Sequence, residues 1–189
     1  MKETEIREMI KREFKDHKAN IVVETDEVTV MDWKRDSTRS YSIRYISTQN
    51  HLCITGDLGS GVLDLTWIPK FTDDWKLHID YFIEKIRASD SGEFTWSSDD
   101  ALNDLEDCKK DHDSYYGMRL SEETITTIEE AISSGAEYCG MNGHNEYVRY
   151  LAESLQEWER YDEFGKRIPI RHWYWLIGLQ MASAYLNAK

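Results

Sequence analysis

The carboxylates of one short segment carry the most regular chemical pattern in the chain. Asp100, Asp104, Asp107 and Asp111 fall at i, i+4, i+7 and i+11. At about 100 degrees per residue this spacing lines them up as one narrow helical stripe, with Ala101, Leu102, Leu105 and Cys108 pointing elsewhere. Like charges at i and i+4 cost an isolated helix about 0.2 to 0.5 kcal/mol per pair. Asp99 and Asp100 recover part of that at the positive helix N-terminus, whereas Asp107 and Asp111 sit towards the negative end. Solubility alone does not call for such an alignment. A second acidic helix carries Glu122, Glu123, Glu129 and Glu130. Successive aspartates on one helix lie about 4.5 to 6 Å apart along the axis, while duplex DNA presents a charge every 1.7 Å or so. One helix is therefore too sparse to imitate nucleic acid, and two side by side are needed. Together they would compete for the Lys and Arg with which a basic protein holds nucleic acid.

Other chemistries fit less well. The stretch I-T-G-D-L-G-S-G-V-L-D-L-T-W at 54–67 has three glycines close together, but a phosphate cradle needs a helix after its glycines. Here strand-like Val62, Leu63, Leu65 and Trp67 follow, and the order G-x-x-G-x-G is not a dinucleotide fingerprint. A hairpin connection is expected, with Gly59 and Gly61 supplying positive φ or a bulge. Cys139 and His144 form a close Cys–His pair, and zinc would need two further ligands from elsewhere. Asp111-His112-Asp113 reads as a solvated triplet between helices. No nucleophile elbow, H-E-x-x-H or calcium-loop motif occurs, so no catalytic residue, cofactor or metal is assigned. Cys53, Cys108 and Cys139 are three in number and far apart, which predicts free thiols rather than a disulfide framework.

Net charge is −13 over 189 residues, and it is unevenly spread: residues 89–137 hold 14 acids and 3 bases. Such a segment disfavours direct contact with nucleic acid or anionic membrane and favours a basic partner. The opening M-K-E-T-E-I-R-E-M-I-K-R-E-F has no apolar signal core, which predicts a cytosolic protein.

These groups must be positioned by an α+β fold. Residues 3–18 have one apolar stripe at helical spacing, formed by Ile6, Met9, Ile10 and Phe14. From 20 to 67 the period falls to two, predicting an antiparallel sheet of four or five strands. Asp73 is expected to cap a helix over 75–88 that packs on the sheet. A largely helical half follows: an acidic helix capped by Ser98 and running to 110, a second over 121–134, a third over 145–161, and a last one beginning near Pro169. That last run, H-W-Y-W-L-I-G-L-Q-M-A-S-A-Y-L, is apolar on nearly all sides but shorter than the roughly 20 residues a bilayer span requires. It predicts a buried central helix. The expected division is 1–89 for helix, sheet and packing helix and 90–189 for the helical region, with both packed as one unit.

The segments D-W-K-R-D-S-T-R-S-Y-S-I-R-Y-I and H-L-C-I-T-G-D-L-G-S-G-V-L-D-L-T-W, with the later W-L-I-G-L-Q-M-A, resemble small acidic proteins of phages and prophages of Gram-positive bacteria. Some of those are anti-CRISPR inhibitors of type II effector nucleases. Trp33, Gly56, Asp57, Gly59 and Trp67 carry the resemblance as strand and turn residues, and it brings over no catalytic role. What it implies is a non-enzymatic inhibitor in the bacterial cytoplasm, with a basic nuclease and its guide RNA as partner. Two other expectations stand beside it. One is a phage accessory enzyme using clustered carboxylates and a divalent metal. The other is a homo-oligomeric scaffold, at its simplest a homodimer, with the aromatic last helix as interface.

Overall fold

Period-two patterning over 18–64 is realised as a meander. The computed structural model describes residues 2–92, 94–110, 122–133 and 165–189. Helix α1 (Glu3–Glu13) is followed by β1 (Lys18–Glu24), β2 (Val28–Lys34), β3 (Ile43–Thr48), β4 (His51–Gly56) and β5 (Gly61–Asp64). A short α2 (Ile79–Glu84) then leads into β6 (Ile86–Ser89). The six strands lie in sequence order, all antiparallel. β1–β2, β3–β4 and β4–β5 are joined by connections of two to four residues, β2–β3 by a longer loop, and β5–β6 by the segment that carries α2; sequential strands lying side by side in this way are the common arrangement.

The fold is α+β, but its sheet has six strands rather than four or five. The extra strand comes from residues expected to end the helix over 75–88. That helix is confined to Ile79–Glu84, and Gln180 is one reason. Its Nε2 donates to the carbonyls of Trp75 and Leu77 at 2.8 and 3.2 Å, so both acceptors are engaged before a helix can claim them. Asp73 caps a turn instead, accepting the Lys70 amide at 2.9 Å. Beyond α2, Ile86 and Ala88 pair with Leu63 and Val62.

The chain divides into two units, one comprising Met1–Glu93 with Ile168–Lys189, the other Phe94–Arg167. The last helix, α5 (Ile170–Asn187), therefore folds with the sheet. It is the centre of that unit's core. Trp175, Leu176, Leu179 and Ala182 are fully buried, and Trp173 and Tyr174 nearly so, among Ile10 of α1, Phe14 just after it, and Met31, Ile43, Tyr45, Leu52 and Ile54 of the sheet. Fully burying side chains of this size is worth about 1.5 to 3 kcal/mol each. Helix and sheet approach closely at Gly178, where a Cβ would stand 2.7 Å from the Tyr45 Oη and 3.0 Å from the Ile43 Cδ1. The polar side of α5 is tied to the 70–77 loop: Ser183 Oγ donates to the Asp73 carbonyl at 2.6 Å and Asn187 Nδ2 to that of Thr72 at 3.0 Å. An aromatic helix so enclosed is core. No described helix is long and apolar enough to cross a membrane.

The second unit contains β7 (Thr95–Trp96), α3 (Ser98–Lys110), α4 (Glu122–Ser133) and β8 (Lys166–Arg167). β7 pairs antiparallel with β8. The cap of α3 is Ser97 rather than Ser98, because the Ser97 Oγ accepts the Asp100 amide at 3.0 Å and donates to the Asp100 carboxylate at 2.9 Å. Helices α3 and α4 pack on each other, and among their described side chains Ala101, Leu105 and Ile132 are buried. The expected helix over 145–161 lies outside the described residues.

Candidate functional site

The aspartate stripe begins at a helix cap and an ion pair. Asp100 is engaged by Ser97 and has Arg167 Nε 3.4 Å from its Oδ1. Asp104 takes Arg167 in a fork, with Nη2 to Oδ1 at 2.7 Å and Nη1 to Oδ2 at 2.9 Å, and its Oδ2 also accepts the Gly165 amide at 2.9 Å. These two carboxylates therefore anchor β8 to α3 inside the second unit. A bidentate, charge-assisted pair is among the stronger polar contacts a protein makes. Sequence spacing could show that the aspartates share a helical face but not that an arginine 63 positions away would meet two of them.

Farther along, Asp107 is exposed, as is Glu106 beside it. On α4, Glu122 and Glu130 are exposed and Glu129 is half-buried. Asp111, the side chain of Glu123, Cys139, His144 and the Asp111-His112-Asp113 triplet all lie outside what the structure describes. Packing of α4 beside α3 brings two acidic elements together. Among the described residues no three His, Cys, Asp or Glu side chains gather as a metal site would require, and Cys53 is a free thiol.

The glycine-rich stretch joins β4 to β5 as an antiparallel hairpin, with Ile54 opposite Gly61. Gly59 has φ +91°, as a turn glycine can. Gly61 has no positive φ; its role is close approach, since a Cβ there would stand 2.8 Å from the Trp175 ring. A backbone donor that a phosphate would need is already taken: the Ser60 amide donates to Asp90 Oδ2 at 2.8 Å, and Arg171 Nη1 holds Asp90 Oδ1 at 2.9 Å. An internal carboxylate fills the position. Asp57 is used in the same way, accepting the amide of Tyr41 at 2.8 Å, whose φ is +58°.

The sheet unit also contains a cleft of about 710 Å³ that sequence reading does not single out. Its apolar wall includes Ile21, Val28, Ile68, Phe71 and Leu186, and the β1–β2 turn contributes Glu24, Asp26 and Glu27. Its signal in the sequence is faint, an acidic E-T-D-E turn between two apolar strands.

No protein-family model, curated protein or solved structure matches this chain.

Proposed function

We propose that the chain is an acidic, non-enzymatic inhibitor that acts by occupying the basic groove of a nucleic-acid enzyme, an RNA-guided DNA nuclease of type II with its guide RNA. Blocking DNA loading or cleavage would be its effect in the host cytoplasm. The observation that carries this reading is the packing of α4 beside α3 within the most acidic part of the chain. Exposed Glu106 and Asp107 on one helix and Glu122 and Glu130 on the other supply the second acidic element that a single helix lacks. Such a surface attracts Lys and Arg over several ångströms and raises association rates, with a pronounced dependence on salt. The resemblance to phage proteins selects the nuclease class.

The test is DNA cleavage by a type II effector nuclease loaded with guide RNA, with and without the protein, at low and moderate salt. The expected result is inhibition that weakens as salt rises and is at least about tenfold weaker when Glu106, Asp107, Glu122 and Glu130 are converted to their amides. Undiminished inhibition by that variant, with its fold intact, would place the binding surface elsewhere. Absence of inhibition by the wild-type protein would remove the proposal.

A further inference from the structure

The outer face of the six-stranded sheet carries a row of apolar side chains that the core does not use. Inward-facing Ile21, Met31, Tyr45, Ile54 and Gly61 lie opposite one another across β1 to β5. On the opposite side of the pleat, Val23 pairs with Val30, Val30 with Ile46, Ile46 with Cys53, Cys53 with Val62 and Val62 with Ala88. The row crosses all six strands without one polar residue. A sheet with a solvated face normally alternates apolar-in with polar-out. The described helices α1, α2 and α5 contribute their buried side chains to the core on the other face. Val23 remains 43% exposed and its neighbour Val22 47%.

Charge surrounds this stripe. On one side lie Asp32 and Arg44, joined by Nε–Oδ1 and Nη2–Oδ2 bonds of 2.6 and 3.0 Å, with Lys34 at 3.3 Å from the same carboxylate. On the other lie His51 and Asp64, with Arg87 Nε 3.8 Å from Asp64. Adding Lys18, the outward-facing charged residues of the strands are four bases and two acids besides His51.

We infer that a second copy of this chain covers the face, sheet against sheet. Self-repulsion of a chain with net charge −13 opposes association wherever acid meets acid. Here the acids are outnumbered and already paired. A two-fold axis along the stripe lays Val30, Ile46, Cys53 and Val62 on their own counterparts, as an isologous contact requires. It also brings the Asp32–Arg44 pair of one copy to the same edge of the stripe as the His51–Asp64 pair of the other, two strands apart, so that both signs occur on each side. The face measures about 25 Å across the strands and about 20 Å along them. That gives about 500 Å² of sheet per copy and about 1,000 Å² for the pair, the lower bound for a specific interface.

Sedimentation equilibrium at micromolar concentrations is the first measurement, on the wild-type protein and on Ile46→Lys and Val62→Lys. The wild type should be a dimer, and either lysine should raise its dissociation constant about a hundredfold or more while far-UV circular dichroism is unchanged. Should a lysine variant fail to fold, a second arm decides. Cys108→Ser/Cys139→Ser protein, with Cys53 as the remaining thiol, is treated with a bis-maleimide of about 10 Å span, matching the spacing of packed sheets. A covalent dimer supports the inference. A monomeric wild type, a dimer indifferent to both lysines, or no crosslink through Cys53 would each overturn it.

Discussion

Arg167 closes on Asp104 as a two-pronged fork, with nitrogen–oxygen distances of 2.7 and 2.9 Å, and the Gly165 amide adds a third donor at 2.9 Å. An aspartate that looks like displayed charge in the sequence is therefore structural. Asp104→Asn keeps the size of the side chain but turns one acceptor into a donor facing donors. With the two side chains 28% and 41% exposed, solvent screens part of the interaction, and the expected loss is about 1 kcal/mol. Glu130→Gln, on the exposed side of α4, should stay within about 0.5 kcal/mol. Urea unfolding of the two variants in parallel tests the contrast. Equal stabilities would mean that the fork contributes nothing in solution.

The glycine hairpin yields a prediction of a different kind, because its two glycines are needed for different reasons. Gly59→Ala puts a side chain on a residue at φ +91°, with a Cβ 2.7 Å from the Asp90 carboxylate. Gly61→Ala directs a methyl into the Trp175 ring, 2.8 Å away. Both should destabilise by about 1 kcal/mol or more. ATP or NAD should leave the melting temperature of the wild type unchanged, and a rise of several degrees would restore a nucleotide role to the loop.

Much of this architecture is legible in the sequence because it depends on local periodicity. The first helix, the alternating strands, the acidic helix ending at Lys110 and the buried last helix each follow from spacing within one segment. What escapes sequence reading depends on partners far along the chain. Gln180 engages the Trp75 and Leu77 carbonyls from 105 and 103 positions away, and so limits a helix that local pattern would extend. Arg167 reaches Asp104 from 63 positions away, and Trp175 explains Gly61 from the opposite side of the core. The same limit applies to the apolar row on the outer face: each strand contributes one residue to it, and only the register aligns them.

Contact between α5 and the sheet gives a third expectation. The Tyr45 Oη donates to the Trp175 carbonyl at 2.8 Å inside the core, and burial pushes that phenol well above its ordinary range. Tyr45→Phe leaves a buried carbonyl short of its donor, at a cost of about 1 to 2 kcal/mol. Gly178→Ala crowds the same place, since its Cβ would lie 2.7 Å from that hydroxyl, and overpacking of this kind costs about 1 to 3 kcal/mol. Combining the two substitutions removes the oxygen that the methyl strikes, so the double variant should lose less than the sum of the single ones. Strict additivity in a double-mutant cycle would show that the two sites do not meet.

The last prediction concerns acid. His172 is fully buried beside Trp175, its ring centroid 5.0 Å from the indole, and its Nε2 lies 3.3 Å from the Ser91 Oγ. Its Nδ1 has no hydrogen-bond partner among the described residues. Burial first, and the adjacent Arg171 second, push its pKa down from 6.5 to about 4, with Asp90 acting in the opposite sense. Below pH 6.5 the unfolded chain takes up a proton that the folded one refuses, so stability is complete above that pH and falls as pH drops towards 4. The loss from this ring alone is about 3 kcal/mol. His17, whose pKa is lowered chiefly by burial, adds to the decline in the same direction. Asp32, held low chiefly by its hydrogen bonds to Arg44, loses its contribution only below the ordinary aspartate range, at more acid pH. The measurement is unfolding free energy between pH 7 and 4.5 for the wild type and for His172→Gln, whose amide can still meet Ser91. The variant should show a clearly shallower slope over this interval, and identical slopes would assign the acid sensitivity to other groups.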